Sequence, residues 1–167
     1  VKVLITGGRG LLGSAVVRQI QKSGHECVVV QRTPCQVPGI REFLDDLAAP
    51  TKSEHWIKGV EVVVHLAAHV GIVGSDQELF DSHVLATRKL LEKGKEKGVQ
   101  RFIYASAPSV AHTGDALIGA GAGKAEPARV RGSYSRTKAL AEIDVLAAHS
   151  PNFSTMALRP HLVWGPG

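Results

Sequence analysis

Sulfur and aromatic side chains are scarce in this sequence: 167 residues hold two cysteines and one methionine, and aromatics make up 5%. Cys27 and Cys35 are too few for a disulfide framework and too isolated for a metal knuckle, which fits a reducing, cytoplasmic setting. Long apolar runs are missing too. The longest charge-free apolar stretch, Val62 to Ser75, contains two histidines and two glycines and is too short to span a bilayer. No charged leader followed by an apolar run precedes the first strand pattern, so no secretory signal is expected. Neither sign of charge dominates. Twenty Lys+Arg against 15 Asp+Glu leave +5, spread along the chain, which argues against a dedicated nucleic-acid binder. No metal site is expected: His65 and His69 are four apart at a strand end, where that spacing does not bring two imidazoles together, and no carboxylate cluster accompanies them.

What is abundant is glycine, with 18 residues, and apolar residues, at 44%. That composition suits one folding unit with a real core. Short Val/Ile-rich runs alternate with longer helical patterns. Strands are expected over Val1–Thr6, Glu26–Gln31, Arg41–Leu44, Val60–Ala67, Arg101–Ser106 and Phe153–Leu158. Helices are expected over Leu11–Ser23, Thr51–Lys58, Asp76–Lys97 and Ser133–His149. This alternation predicts an α/β fold, a Rossmann-type doubly wound parallel sheet with helices on both faces. The Ala- and Gly-rich stretch Ala107–Gly132 has no period and is expected to be a structureless connection, the kind that serves as a binding loop.

The first strand–helix junction carries Thr6-Gly7-Gly8-Arg9-Gly10-Leu11-Leu12-Gly13, a G-x-x-G-x-x-G turn. Gly7 allows the tight turn, Gly10 lets backbone N–H groups approach a pyrophosphate, and Gly13 permits close packing. Leu11 and Leu12 then open the helix with its positive dipole end facing the anion. An NAD site calls for Asp or Glu at the end of the second strand, to bind the ribose hydroxyls. Here neutral Gln31 and Arg32 stand there, with Arg9 in the glycine turn, and two guanidiniums favour the 2′-phosphate of NADP over NAD.

Tyr134 and Lys138 lie four apart at the start of the last helix, hence on one face. A phenol is a poor acid/base near neutrality unless a cation stabilises its phenolate, and Lys138 can supply that cation. Together with the glycine turn, this pattern resembles the extended short-chain dehydrogenase/reductase family, the group of NAD(P)-dependent sugar-nucleotide epimerases and 3β-hydroxysteroid dehydrogenases. Thr6–Gly13 matches the family's T-G-x-x-G-x-x-G. Asp46-Leu47 resembles its adenine-contacting Asp, and His65-Leu66-Ala67-Ala68 its H-x-A-A segment beside the cofactor ribose and pyrophosphate. Leu158-Arg159-Pro160 and Val163–Gly167 match its L-R-P…W/Y-G-P-G segment next to the nicotinamide.

The resemblance implies hydride transfer between the nicotinamide and a ketone or secondary alcohol, steroid-like or a 3-oxo compound, with Tyr134 as acid/base and Lys138 as its activator. Two positions depart from the family. Ala107 stands where a Ser or Thr usually bonds the substrate oxygen, which leaves Ser106 or Ser109 to substitute. His83 replaces an Asn that orders the site, and its charge is expected to be pH-sensitive. Because of Ala107, a non-catalytic NADP-binding sensor is the alternative from another class, and a nucleotide-sugar epimerase or dehydratase is a third. His161 is a candidate lining residue of the substrate pocket, while Trp56 and Trp164 are expected to be packing residues. Family members run to about twice this length, a size usual for two domains. The resemblance therefore implies that residues 1–167 are an NAD(P)-binding domain without a C-terminal substrate lobe, acting on a small molecule, with a homodimer as a candidate assembly.

Overall fold

The computed structural model describes residues 1–35, 37–49, 55–69, 75–114, 118–119 and 121–165. The strands β1 (Lys2–Thr6), β2 (Glu26–Gln31), β3 (Arg41–Leu44), β4 (Val62–His65), β5 (Arg101–Ala105) and β6 (Ser154–Leu158) form one sheet. Its order is β3-β2-β1-β4-β5-β6, and every pairing is parallel. The Rossmann-type expectation therefore holds. The order reverses between β1 and β4, and such a switch point opens a crevice beyond the carboxyl ends of the two strands.

Continuous apolar runs fold this way because successive strand side chains point to opposite faces, and both faces are covered. In β1, Leu4 joins a core with Val28, Leu90, Phe102 and Val145. Its neighbours Val3 and Ile5 turn the other way, toward Val17, Val29 and Val64. The helix α1 (Leu11–Lys22) lies on that second face; α3 (Ala86–Glu96) and α4 (Ser133–Ala147) lie on the first. Each fully buried Val or Leu contributes roughly 1.5–3 kcal/mol.

The differences from the sequence reading are local. The helix expected over Asp76–Lys97 is α2 (Asp76–Phe80), a π-helical turn over Asp81–Leu85, and then α3. A capping box between Ser75 and Glu78 starts it. His55–Ile57 form a single 3-10 turn, while residues 51–54 of the expected helix lie outside the described residues. The connection after β5 is not wholly structureless, because Pro108–Ala111 form a 3-10 turn. Trp56 is buried as expected, but Trp164 is 87% exposed and is not a packing residue among the described ones.

Candidate functional site: the switch-point cleft and the start of α4

The switch point is closed by hydrogen bonds between the ends of β1 and β4. Thr6 and His65 are register partners, with Thr6 Oγ1 2.6 Å from His65 Nδ1. Ala67 N–H donates to Thr6 Oγ1 at 3.1 Å. On the far side, His65 Nε2 lies 2.9 Å from Thr87 Oγ1, whose hydroxyl donates to the His83 carbonyl at 2.5 Å. The assignment that satisfies every donor puts the His65 proton on Nε2 and leaves Nδ1 to accept from Thr6. Burial first, then the Lys138 and His83 charges, push the His65 pKa down to about 3, so the ring is neutral.

Above this bridge lies a cleft of about 730 Å³. Gly7, Arg9, Gly10, Arg32, Asp46, Leu47, Leu66, Ala67 and Ala68 all stand on its wall, so nine of the expected cofactor contacts share one concavity. Leu11, Leu12 and Gly13 open α1 beside it. The helix begins at Gly10 without a side-chain cap and without an acidic residue in its first turn, which leaves free N–H groups and a positive dipole end. The glycines separate by cause. A Cβ on Gly13 would stand 2.0 Å from the Gly7 carbonyl oxygen, and one on Gly7, at φ +73, would stand 2.7 Å from Ala67 N. These two are demanded by the fold. A Cβ on Gly10 would meet only the Gly7 oxygen at 3.6 Å, an ordinary contact. The protein leaves that space open over the helix N-terminus, which fits a pyrophosphate lying against it. Ser82 Oγ, buried and without a protein partner, belongs to another residue of the cleft wall and fits a ligand acceptor there.

At the end of the cleft where the adenosine is expected, Gln31 is buried. Its Oε1 accepts from Arg9 N–H at 2.9 Å and its Nε2 donates to Glu42 Oε1 at 2.7 Å. The Arg9 guanidinium donates to Thr33 Oγ1 at 3.2 Å, so it lies against the Arg32–Pro34 segment. Asp46 Oδ1 accepts from Ala48 N–H, a local turn that holds Asp46 and Leu47 at the cleft edge. Trp56 Nε1 donates to Asp45 Oδ2 at 3.0 Å, pinning the same loop.

The expected acid/base pair, Tyr134 and Lys138, stands at the start of α4. Tyr134 is half-buried and packs with Ala107, Val110 and Ala139. Its ring meets the His83 ring edge-on at 5.3 Å between centroids. Lys138, 2% exposed, donates to the Ala105 carbonyl at 2.6 Å and sits 4.2 Å over the Tyr104 ring. Burial raises the Tyr134 phenol. Burial also brings Lys138 down to about 7, against the opposing pull of Glu142. Glu142, one turn further along α4, is clamped by Arg159 at 2.5 and 3.0 Å. Arg159 also donates to the carbonyls of Ala122 and Gly123, fastening the Ala/Gly-rich connection to the helix that carries the pair.

His83 corrects an expectation. Its Nδ1 is 2.8 Å from Thr137 Oγ1, whose own proton reaches the Ser133 carbonyl, and its Nε2 accepts from His69 N–H at 3.1 Å. Burial, then the Lys138 charge, hold its pKa down at about 4. The imidazole is a neutral donor and acceptor in the place of an Asn amide, rather than a switch near neutrality.

Of the two substitute hydroxyls, Ser109 lines a second cavity of about 580 Å³ together with His161. Ser106 is turned into the protein at 6% exposure. Both hydroxyls lack a protein partner. Pro160 is partly buried where β6 ends, next to His161. Pro166 and Gly167 of the G-P-G segment lie outside the described residues. Sequence reasoning missed Glu42, Thr87 and Glu142, because each acts through a partner on another element, and it missed Arg131, because no motif marks it.

A model of the family described as NAD dependent epimerase/dehydratase matches residues 3–167. The chain belongs to that family. Its relatives include a 2-alkyl-3-oxoalkanoate reductase of Stenotrophomonas maltophilia, 36% identical over 99% of this chain and 52% of the relative. Another is the bovine (Bos taurus) sterol-4-alpha-carboxylate 3-dehydrogenase, decarboxylating, 32% identical over 97% of this chain and 46% of the relative. Among solved structures, MoeE5 in complex with UDP-glucuronic acid and NAD superimposes with a TM-score of 0.80 at 32% identity, over 95% of this chain and 54% of that one. The chain thus spans about half the length of the curated relatives it matches. Among the described residues, no helix is long and apolar enough to cross a membrane.

Proposed function

We propose that this family member is an NADP-dependent oxidoreductase acting on a ketone or secondary alcohol, with 3-oxo or 3-hydroxy compounds as its substrate class. The observation that carries the reading is the Tyr134–Lys138 pair on α4, set beyond the end of β5 while Arg9 and Arg32 face the far end of the cleft. Neutral Gln31 stands where NAD sites carry a carboxylate, and the two guanidiniums suit a 2′-phosphate. The two relatives named above are both named for redox chemistry at position 3 of their substrates. The two free thiols, Cys27 and Cys35, suit a cytoplasmic protein. Residues 1–167 act in this reading as the nucleotide-binding part of a longer protein, whose remainder completes the substrate pocket. The exposed apolar side chains Met156, Leu158 and Trp164 supply a face for it to cover.

The bound nicotinamide supplies or accepts hydride at its C4. In reduction, Tyr134 gives its phenolic proton to the carbonyl oxygen as hydride reaches the carbonyl carbon. The products are the secondary alcohol and the oxidised cofactor. In this reading the Lys138 ammonium, one helical turn from Tyr134 on the same face of α4, steadies the phenolate left behind. Ser109 donates to the substrate oxygen in place of the hydroxyl absent at Ala107, and His83 buttresses the tyrosine ring.

Full-length protein given NADPH and a panel of 3-oxo substrates tests this. Turnover should fall at least about 100-fold in Tyr134→Phe, in line with loss of a general acid, while NADPH binding persists. Arg32→Ala should weaken NADPH more than NADH. Tight NADPH binding with no turnover by the wild type would replace the enzyme with a sensor.

A further inference from the structure

The proposed reaction uses the Ser109 hydroxyl of the second cavity but not the positive charge on its wall. Pro108, Ser109, His112, Arg131, Ser135 and His161 line it. Among the described residues, that wall holds a guanidinium, two imidazoles and two hydroxyls, and no carboxylate.

Several arginines of the fold are held in ion pairs, and Arg131 is not one of them. Arg129 pairs with Glu126, Arg159 with Glu142 and Arg88 with Asp144. Arg131 makes no ion pair or hydrogen bond among the described residues, and it lies against Gly114. A Cβ there would stand 3.4 Å from a guanidinium nitrogen. Gly114, at φ +116, gives the guanidinium room beside the loop. On the same wall, the Ser109 hydroxyl is buried without a protein partner, and a buried hydroxyl left unpaired is costly. Arg131 stands three residues before Tyr134, and Ser135 follows it, so the cavity adjoins the acid/base.

We propose that this cavity is an anion site, in which Arg131 pairs with a carboxylate on the substrate close to its reacting carbon. A guanidinium fork matches the two carboxylate oxygens, and the charge-assisted pair is stronger than a neutral hydrogen bond. The substrate is then a 3-oxo or 3-hydroxy carboxylic acid, read as its anion, in preference to a neutral ketone. This rests on the oxidoreductase reading for the identity of the reacting carbon, but the anion site stands or falls separately.

Two measurements on the full-length protein separate the two. The first compares kcat/KM with NADPH for 3-oxooctanoate and its neutral ethyl ester. The acid should be favoured, and Arg131→Ala should shrink the acid-to-ester ratio roughly 10- to 100-fold, the factor expected for one charged hydrogen-bonded pair, with Arg131→Lys in between. The second titrates 3-hydroxyoctanoate into the NADP complex by calorimetry, where Arg131→Ala should weaken binding by the same factor. Equal rates for acid and ester, or a ratio unchanged in Arg131→Ala, would overturn the anion site and leave the oxidoreductase standing. Binding lost in Arg131→Ala without turnover of either compound would keep the anion site and overturn the oxidoreductase. Neither turnover nor binding of the hydroxy acid would overturn both.

Discussion

At the scale of single residues, Lys138 makes the sharpest demand on the proposed chemistry. A buried ammonium with a pKa of about 7 is charged below neutrality and loses its charge above it. Reduction needs a protonated Tyr134 and a cation to hold the phenolate that forms. The rate constant for reduction should therefore fall as pH rises through about 7, and Lys138→Met should be low and flat across the same range. A profile of kcat/KM for reduction from pH 5.5 to 9 checks this, and a rate that climbs with pH would count against Lys138 as the charged partner. The Tyr134–Lys138 pair was legible in the sequence because both residues sit on one helix at a fixed spacing. The clamp on Glu142 by Arg159 was not, although Glu142 continues the same face at the same spacing. Its partner comes from the end of β6, and no local pattern announces a contact between separate elements.

At the scale of elements, the turn between β1 and α1 shows how one motif serves two ends. Gly7 and Gly13 let the turn close on itself and on Ala67, whereas Gly10 guards only open space. Gly10→Ala should fold with a stability loss of about 1 kcal/mol, since φ −64 suits any residue and the loss is that of an alanine in place of glycine at the helix N-cap. It should bind NADPH at least roughly tenfold more weakly, because a methyl group stands where the pyrophosphate approaches. Gly13→Ala should instead lower the thermal midpoint sharply, as an added carbon collides with backbone. Thermal melts beside cofactor titrations of the two variants check the contrast, and equal melting losses would undo it. The strands and this turn could be read from the sequence, since buried parallel strands are continuous apolar runs. The π-helical turn at Asp81–Leu85 could not, because an extra residue in a helical turn leaves the apolar period almost intact. That turn carries His83 toward Tyr134, in keeping with the habit of such bulges to occur at functional sites.

At the scale of the whole molecule, the doubly wound parallel sheet was legible and the electrostatics of the interior were not. Alternating patterns imply a doubly wound sheet, but they do not say that His65 and His83 end up neutral inside it. Both rings titrate far lower when folded, at about 3 and about 4, than the ordinary value of 6.5. Between those values the unfolded chain binds more protons than the folded one, so stability must fall as pH drops. Each histidine contributes a slope of about 1.4 kcal/mol per pH unit below roughly pH 6.5. The His83 contribution ends near pH 4 and the His65 contribution near pH 3. Set against a total stability on the order of 5–15 kcal/mol, a loss of this sign is large enough to register in a denaturant midpoint. Urea midpoints should accordingly drop steeply between pH 6.5 and 4.5, with little change between pH 6.5 and 7. His83→Asn keeps a donor for Thr137 and an acceptor for the His69 N–H without titrating, so its midpoint should fall about half as steeply. A wild-type midpoint that stays level down to pH 4.5 would mean that the two rings take up protons in the folded state, and that the hydrogen bonds tying β1 to β4 do not require neutral imidazole.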